Sequence, residues 1–157
     1  MIEIYTDGHC EPNPGPGGWG VVMLQDGRVY EEIRGYDPAT TNNRMEIKAI
    51  IEGIKSVPYG LSVTVFSDSQ LAINVLSGKW QARANLDLVE PGIALVNNRS
   101  VEWRWVKGHS GEKWNDRADR LAGMWTSERH LLGAPYWKTV FKAGAQVEPV
   151  AGSAAGD

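Results

Sequence analysis

Leu61-Ser-Val-Thr-Val-Phe-Ser-Asp-Ser-Gln-Leu71 changes its structural period within a few residues. Leu61 to Phe66 is short and β-branched, which reads as a strand, and the apolar spacing then lengthens to Leu71, Val75 and Leu76, which reads as a helix. Asp68 therefore falls at a strand-to-helix junction. Immediately upstream, Asn43 to Val57 carries helical spacing through Ile50, Ile54 and Val57. A helix that returns the chain to a strand is a crossover, so the strand near Leu61 is expected to run parallel to its neighbour.

Three strands are expected before this unit: Ile2 to Thr6, Trp19 to Leu24 and Arg28 to Gly35. The last two are joined at Gln25-Asp26-Gly27, where Asp-Gly is a strong hairpin signal. Asp7-Gly8 reads as a turn closing the first strand. The segment His9 to Gly18 is too rich in Pro and Gly for a helix or central strand and reads as a tight surface loop. Downstream come a polar connector, Ser77 to Ala84, and a helix, Leu86 to Asn97, interrupted in pattern by Pro91-Gly92. Val101 to Val106 alternates as a half-buried strand, with at least one of Trp103 and Trp105 expected in the core. The last helix, Asn115 to Trp125, has the stripe Ala118, Leu121, Ala122 and Trp125. The order βββαβααβα predicts an α/β domain, a mixed sheet with helices packed on it.

At 157 residues the chain reads as one domain over residues 1–142, with an additional segment after about residue 125. Residues 143–157 are mostly small and read as a flexible tail. A formal charge of −3 argues against a protein that coats nucleic acid by charge alone, without excluding a local basic surface. Cys10 is the single cysteine, so no internal disulfide forms, and a reduced, cytoplasmic setting is expected. The N-terminus enters a strand directly and no apolar run approaches the roughly 20 residues that span a bilayer, so a soluble, unprocessed monomer is expected.

Four acids stand in four different local settings: Asp7 after a strand, Glu46 in a helix, Asp68 after another strand and Asp119 in the late helix. Glu46 lies on the apolar face of its helix, one turn before Ile50, where an unpaired carboxylate is costly. If the four converge, each pair repels by about 4 kcal/mol at roughly 4 Å and an effective dielectric near 20. A divalent cation reverses that sign, and Mg²⁺ or Mn²⁺ suits an all-oxygen donor set. Taken singly, each acid has an ordinary reading: Asp7 in a turn, Asp68 as a helix N-cap, Glu46 solvated, and Asp119 paired with Arg117, Arg120 or a nearby base.

The chain resembles ribonuclease HI through Tyr5-Thr-Asp-Gly8, Asn13-Pro-Gly-Pro-Gly-Gly18, Thr40-Thr-Asn-Asn-Arg-Met-Glu46, Ser67-Asp-Ser-Gln70, Trp105-Val-Lys-Gly-His-Ser-Gly111 and Asn115-Asp-Arg-Ala-Asp-Arg-Leu-Ala122. The resemblance spans about residues 1 to 123 and implies a ribonuclease H-like fold, a five-stranded mixed sheet with helices on it. It also implies endonucleolytic cleavage of the RNA strand of an RNA/DNA hybrid, giving 5′-phosphate and 3′-hydroxyl ends, with two divalent ions, Mg²⁺ or Mn²⁺ in its place. On this resemblance Asp7, Glu46, Asp68 and Asp119 are the metal-organising acids, and His109 assists proton transfer or product release. Asn13, Asn42, Asn43 and Gln70 are expected to contact the minor groove of the hybrid. Thr41 and Asn85 are expected to hold a DNA-strand phosphate, and Trp80 to pack on a deoxyribose.

Two departures stand out. His9 occupies a position where the family often has a small residue, and it matches no family catalytic position; nor does His130. Only Gln81-Ala-Arg-Ala84 separates Trp80 from Asn85, so the Lys- and Trp-rich basic protrusion of many bacterial members is absent. Affinity must then come from elsewhere, with Lys79, Arg83, Arg104, Lys107, Lys113, Arg117 or the segment Trp125 to Lys142 as candidates. Two other readings use the same residues: a module that binds hybrid without cutting it, and an integrase- or resolvase-like DNA nuclease.

Overall fold

The computed structural model describes residues 1–127, 137–142 and 150–151. Its elements are β1 (Ile2–Cys10), β2 (Gly15–Gln25), β3 (Arg28–Thr40), α1 (Asn42–Ser56), β4 (Val63–Ser67), α2 (Gln70–Leu76), α3 (Leu86–Asn97), β5 (Val101–Trp105), α4 (Lys113–Gly123), β6 (Trp137–Lys142) and β7 (Val150–Ala151), with a 3₁₀ turn at Met124–Ser127. The five strands of the expected sheet lie in the order β5-β4-β1-β2-β3. β1, β4 and β5 run parallel, and β1-β2-β3 is an antiparallel meander, so the sheet is mixed as expected.

Helices cover both faces. On one face Ile2, Ile4, Val21, Met23, Ile33, Val63 and Val65 pack against α1, α2 and α3, through Ile47, Ile50 and Ile54, Val75 and Leu76, and Val89. On the other, Tyr5, Val22 and Leu24 meet Ala118 and Leu121 of α4. The two clusters follow the period-two alternation of the strands. The hairpin between β2 and β3 turns at Asp26-Gly27, both with positive φ, 52° and 79°, as a primed turn requires. α3 runs unbroken through Pro91, which is exposed, so the helix bond it forgoes is lost on a wet face. Trp103 leans on the larger core, whereas Trp105 is 52% exposed.

Two expectations fail around the glycines. Asp7-Gly8 is not a turn: β1 continues to Cys10, with Asp7 opposite Gly20 and Gly8 opposite Trp19. His9 to Gly18 is not one loop either, because β2 begins at Gly15. The reason is close packing against the strand. A Cβ on Gly18 would strike the Ala122 carbonyl and the Trp125 ring, and one on Gly20 would lie 2.7 Å from the Ala118 carbonyl. These glycines let α4 settle directly on the strand.

The sheet also extends past the expected five strands, because β6 pairs antiparallel with β3 and β7 with β6. β7 falls within the segment expected as a tail, and the rest of that segment lies outside the described residues. No helix among the described residues is long and apolar enough to cross a membrane.

Candidate active site

The site forms where parallel pairing stops. β4 pairs with β1 as far as Thr6 opposite Ser67, and with β5 as far as Ser67 opposite Trp105. Beyond that rung β4 ends and the chain turns at Asp68 into α2. Asp7 is the next residue on β1. Ligands commonly bind at the carboxyl ends of parallel strands for this reason, since the chain leaves the sheet there and opens a crevice.

Glu46 comes from the second turn of α1. Gly8 passes so close beneath this helix that a Cβ there would strike the Met45 backbone and the Glu46 nitrogen. That approach brings Glu46 over Asp7. Carboxylate oxygens of Asp7, Glu46 and Asp68 all lie within 4.8 Å of one another. Asp119, on α4, interacts with Asp7 through their carboxyl groups. The four predicted acids thus converge from β1, α1, the end of β4 and α4.

The electrostatics of Asp7, Glu46 and Asp68 are those of crowded carboxylates withdrawn from water. Burial, followed by Glu46 and then Asp119 and Asp68, drives the Asp7 carboxyl far above its ordinary range. Burial also raises Glu46, reinforced by Asp68 and Asp119 and opposed by hydrogen bonds from Asp7 and the Gly8 backbone. Asp68 is raised by burial and by Asp119, with His109 pulling the other way. Glu46 Oε2 is buried without a hydrogen-bond partner. A clustered all-oxygen donor set containing an unsatisfied buried carboxylate oxygen fits a hard divalent cation.

Two of the ordinary readings of these acids fail, the Asp68 cap and the Arg117 partner of Asp119. Ser69, not Asp68, caps α2, accepting from the Ala72 amide at 3.0 Å. Arg117 is engaged by Glu32 through two 2.7 Å hydrogen bonds, so it does not serve Asp119. The neighbour of Asp119 is His109, whose Nδ1 lies 4.0 Å away. His109 has a left-handed φ of 53° and a side chain 80% exposed, so its ring is presented to solvent at the mouth of the site. His109, Gly111, Asp116, Asp119 and Arg120 line an open recess there.

The predicted substrate residues stand on the loop after β1, the start of α1, the first turn of α2 and the connector to α3. The Asn13 side-chain oxygen accepts from the Asn42 amide at 3.2 Å, tying the loop after β1 to the start of α1. Thr41 caps α1 through the Arg44 amide. Arg44 then reaches Asn85 at 3.3 Å and clamps Asp87 at 2.7 and 2.9 Å. Asn43, Trp80 and Asn85 line one cavity of about 260 Å³ between α1, α2 and the connector to α3. Arg83 stands in the same lining, and Trp80 is half exposed. Gln70 is exposed in the first turn of α2, two residues from Asp68.

Among the basic candidates, Arg104 is paired with Glu102, and Lys113 lies over the Trp114 ring. Lys79, Arg83 and Lys107 are exposed. His9 tilts against Trp125, with ring centroids 5.8 Å apart. His130 lies outside the described residues. Sequence reasoning missed Arg44 and Trp105 as parts of the site. Both lie within family motifs, but their partners, Asn85 and the Asp68 backbone, are distant in sequence.

A mixed sheet that gathers carboxylates at its strand ends, beside an amide- and tryptophan-lined groove, defines a nuclease of the ribonuclease H-like class. The chain belongs to the RNase H family, which residues 1–126 match, and it is a ribonuclease H. It is 43% identical over 140 residues to the Ribonuclease H of Pseudomonas entomophila, covering 81% of this chain and 94% of the relative. It is 42% identical over 136 residues to that of Thermoanaerobacter sp. (strain X514), covering 78% and 87%. Among solved structures it is similar to LC11-RNase H1 in complex with an RNA/DNA hybrid, at 28% identity and a TM-score of 0.69, covering 83% of this chain and 99% of that one. RNase H1 of the archaeon Halobacterium salinarum gives 26% identity and a TM-score of 0.71, covering 81% and 98%.

Proposed function

We propose that this chain is an endonuclease that hydrolyses the RNA strand of RNA/DNA hybrids, leaving 5′-phosphate and 3′-hydroxyl ends. The observation that carries the reading is the convergence of Asp7, Glu46 and Asp68 within 4.8 Å, with Asp119 against Asp7, in a chain of the RNase H family. Asp7 is the central ligand because it touches every other acid, and Glu46, Asp68 and Asp119 complete the shell for two Mg²⁺ ions, or Mn²⁺ in their place. Bound ions would neutralise the clustered charge, lower the pKa of a water and stabilise charge on the departing 3′-oxygen.

The remaining work falls to the protein. Asn13, Asn42, Asn43 and Gln70 present amides that donate to and accept from 2′-hydroxyls and base edges in a wide minor groove without reading sequence. Glu46 stands next to Asn43 on α1, where it can sense the 2′-hydroxyl beside the scissile bond. Thr41 and Asn85 take a DNA-strand phosphate, and Trp80 takes the sugar face in the cavity it lines. His109, exposed beside Asp119, passes a proton or helps product leave. With no basic protrusion, Arg83, Lys79 and Lys107 supply the local positive charge. Hybrid binding by LC11-RNase H1 supports the same substrate class here. Action as a monomer in the cytoplasm belongs to this reading.

The test is Mg²⁺-dependent cleavage of an end-labelled hybrid beside RNA and DNA duplexes, with Asp68→Asn as control. Cutting confined to the RNA of the hybrid, and lost in the variant while the fold is kept, is the expected result. Hybrid binding without fragments in Mg²⁺ or Mn²⁺ would make the chain a binding module, and cleavage of duplex DNA would make it an integrase-like nuclease.

A further inference from the structure

We propose that Trp105 and Gly108 are positioning residues for Asp68, so that the end of β5, a strand bearing none of the four acids, sets where that carboxylate points. The inference rests on the reading of Asp68 as a cation ligand and goes beyond it.

Asp68 sits past the last rung of the β4–β5 ladder, which closes with the Val106 amide donating to the Ser67 carbonyl at 3.0 Å. One residue further on, pairing has ended and α2 has not begun. The Trp105 indole fills that gap: Nε1–H donates to the Asp68 backbone carbonyl at 3.1 Å. Trp105 nevertheless leaves 52% of its surface exposed. An indole placed for packing buries its ring. This one turns its single polar atom to the backbone of a site carboxylate and leaves much of its surface in water. The loop that follows adds the second restraint. Gly108 passes so close that a Cβ there would lie 2.5 Å from Asp68 Oδ2. The indole thus fixes the Asp68 main chain, while the bare backbone of Gly108 walls its carboxylate.

A ligand carboxylate held off its productive position binds the cation less well and reacts more slowly, but leaves hybrid binding to the groove intact. Loss of one neutral hydrogen bond corresponds to about three- to ten-fold. The experiment compares wild type with Trp105→Phe, which keeps an aromatic ring and removes the donor, and with Gly108→Ala, which keeps the indole and crowds the carboxylate. Mn²⁺ affinity is measured without substrate by electron paramagnetic resonance of free Mn²⁺, and kcat and KM are measured on hybrid. Thermal unfolding is followed in parallel. The expected result is a Mn²⁺ dissociation constant raised and a kcat lowered by about three- to ten-fold in Trp105→Phe, and a change of both in the same direction in Gly108→Ala, with KM within about two-fold in each. Wild-type Mn²⁺ affinity and kcat in the variants would overturn the proposal. So would a raised KM alone in Trp105→Phe, which would make the indole face a substrate contact. Wild-type protein that cuts hybrid yet shows these null variants refutes the positioning role alone, whereas wild-type protein that neither binds Mn²⁺ nor cuts refutes both readings.

Discussion

Gly20→Ala puts one methyl group where the sheet, α4 and the acid cluster meet. Gly20 lies opposite Asp7 in the β1–β2 ladder, and the Cβ it lacks would lie 2.6 Å from Leu121 Cβ, 2.7 Å from the Ala118 carbonyl and 2.9 Å from the Ala122 amide. Two of these three atoms are helix backbone, which no rotamer change can move. Ordinary contact begins at 3.4 Å, so against the 2.7 Å carbonyl α4 must back off by the difference, about 0.7 Å. Overpacking of this kind costs about 1 to 3 kcal/mol. It leaves a domain of ordinary stability mostly folded. Asp119 moves with the helix, away from Asp7, and a displacement approaching 1 Å at a reacting centre costs on the order of ten- to a hundred-fold in rate. Urea unfolding gives the first quantity, and kcat on hybrid at saturating Mg²⁺, corrected for folded fraction, gives the second. Gly123→Ala is the control on the same helix. Its Cβ meets nothing within 4 Å, so it should be neutral or stabilise by up to about 1 kcal/mol. A Gly20→Ala protein within about 0.5 kcal/mol of wild type and with full kcat would show that α4 is not held by this contact.

The acid cluster predicts an unusual stability profile in chelator. Asp7, Glu46 and Asp68 have folded pKa values above their unfolded ones, so their penalty is absent below the ordinary carboxylate range and grows as pH rises toward neutrality. Thermal scans in EDTA should therefore show stability lost with rising pH, with Mg²⁺ or a Glu46→Gln change restoring it; a Glu46→Gln protein less stable than wild type at pH 7 would refute the repulsion. Glu52 has the opposite sign. Burial raises its carboxyl, but Lys48, Lys55 and Lys138 outweigh that and hold it low, so its contribution is present above the ordinary carboxylate range and lost as pH falls through the depressed value. Glu52→Gln should cost about 1 to 2 kcal/mol in urea at pH 7, because the three lysines can relax into water, and the cost should shrink in acid. Trp80→Ala should raise KM for hybrid about ten-fold with kcat little changed, in steady-state kinetics. A lowered kcat at constant KM would take Trp80 out of the groove.

What could be read along the chain was whatever its own neighbourhood dictates. The period change at Ser67-Asp68 and the return of α1 into β4 depend on residues within a few positions, and the parallel pairing of β1 with β4 followed from them. Asp68 was legible because it stands at such a junction, and Glu46 because it falls on the apolar face of its own helix. What was not legible depends on partners far along the chain. Gly17 and Gly18 look like loop residues by composition, yet their reason is the proximity of other parts of the fold, including a helix a hundred positions later. Arg44 and Asn85 meet across 41 positions, and Trp105 and Asp68 across 37, so no spacing rule could pair them. β6 escaped because the edge it occupies, along β3, exists only once the sheet is built.

Other glycines explain how a repulsive site can be held in place. Like charges drawn together in a dry crevice must be held by something that does not yield, or they would part. Side-chain packing yields by changing rotamer, whereas contact between backbones yields only by moving a whole element. Gly8 sets α1, and with it Glu46, against β1. Gly20 does the same for α4 and Asp119, and Gly108 stands directly against the Asp68 carboxylate. Asp7 needs no such contact because it is part of the central strand on which the others converge. The loop-like composition around the first acid is therefore the sequence trace of helix backbones packed directly against the strands that bear or face it, on both faces of the sheet.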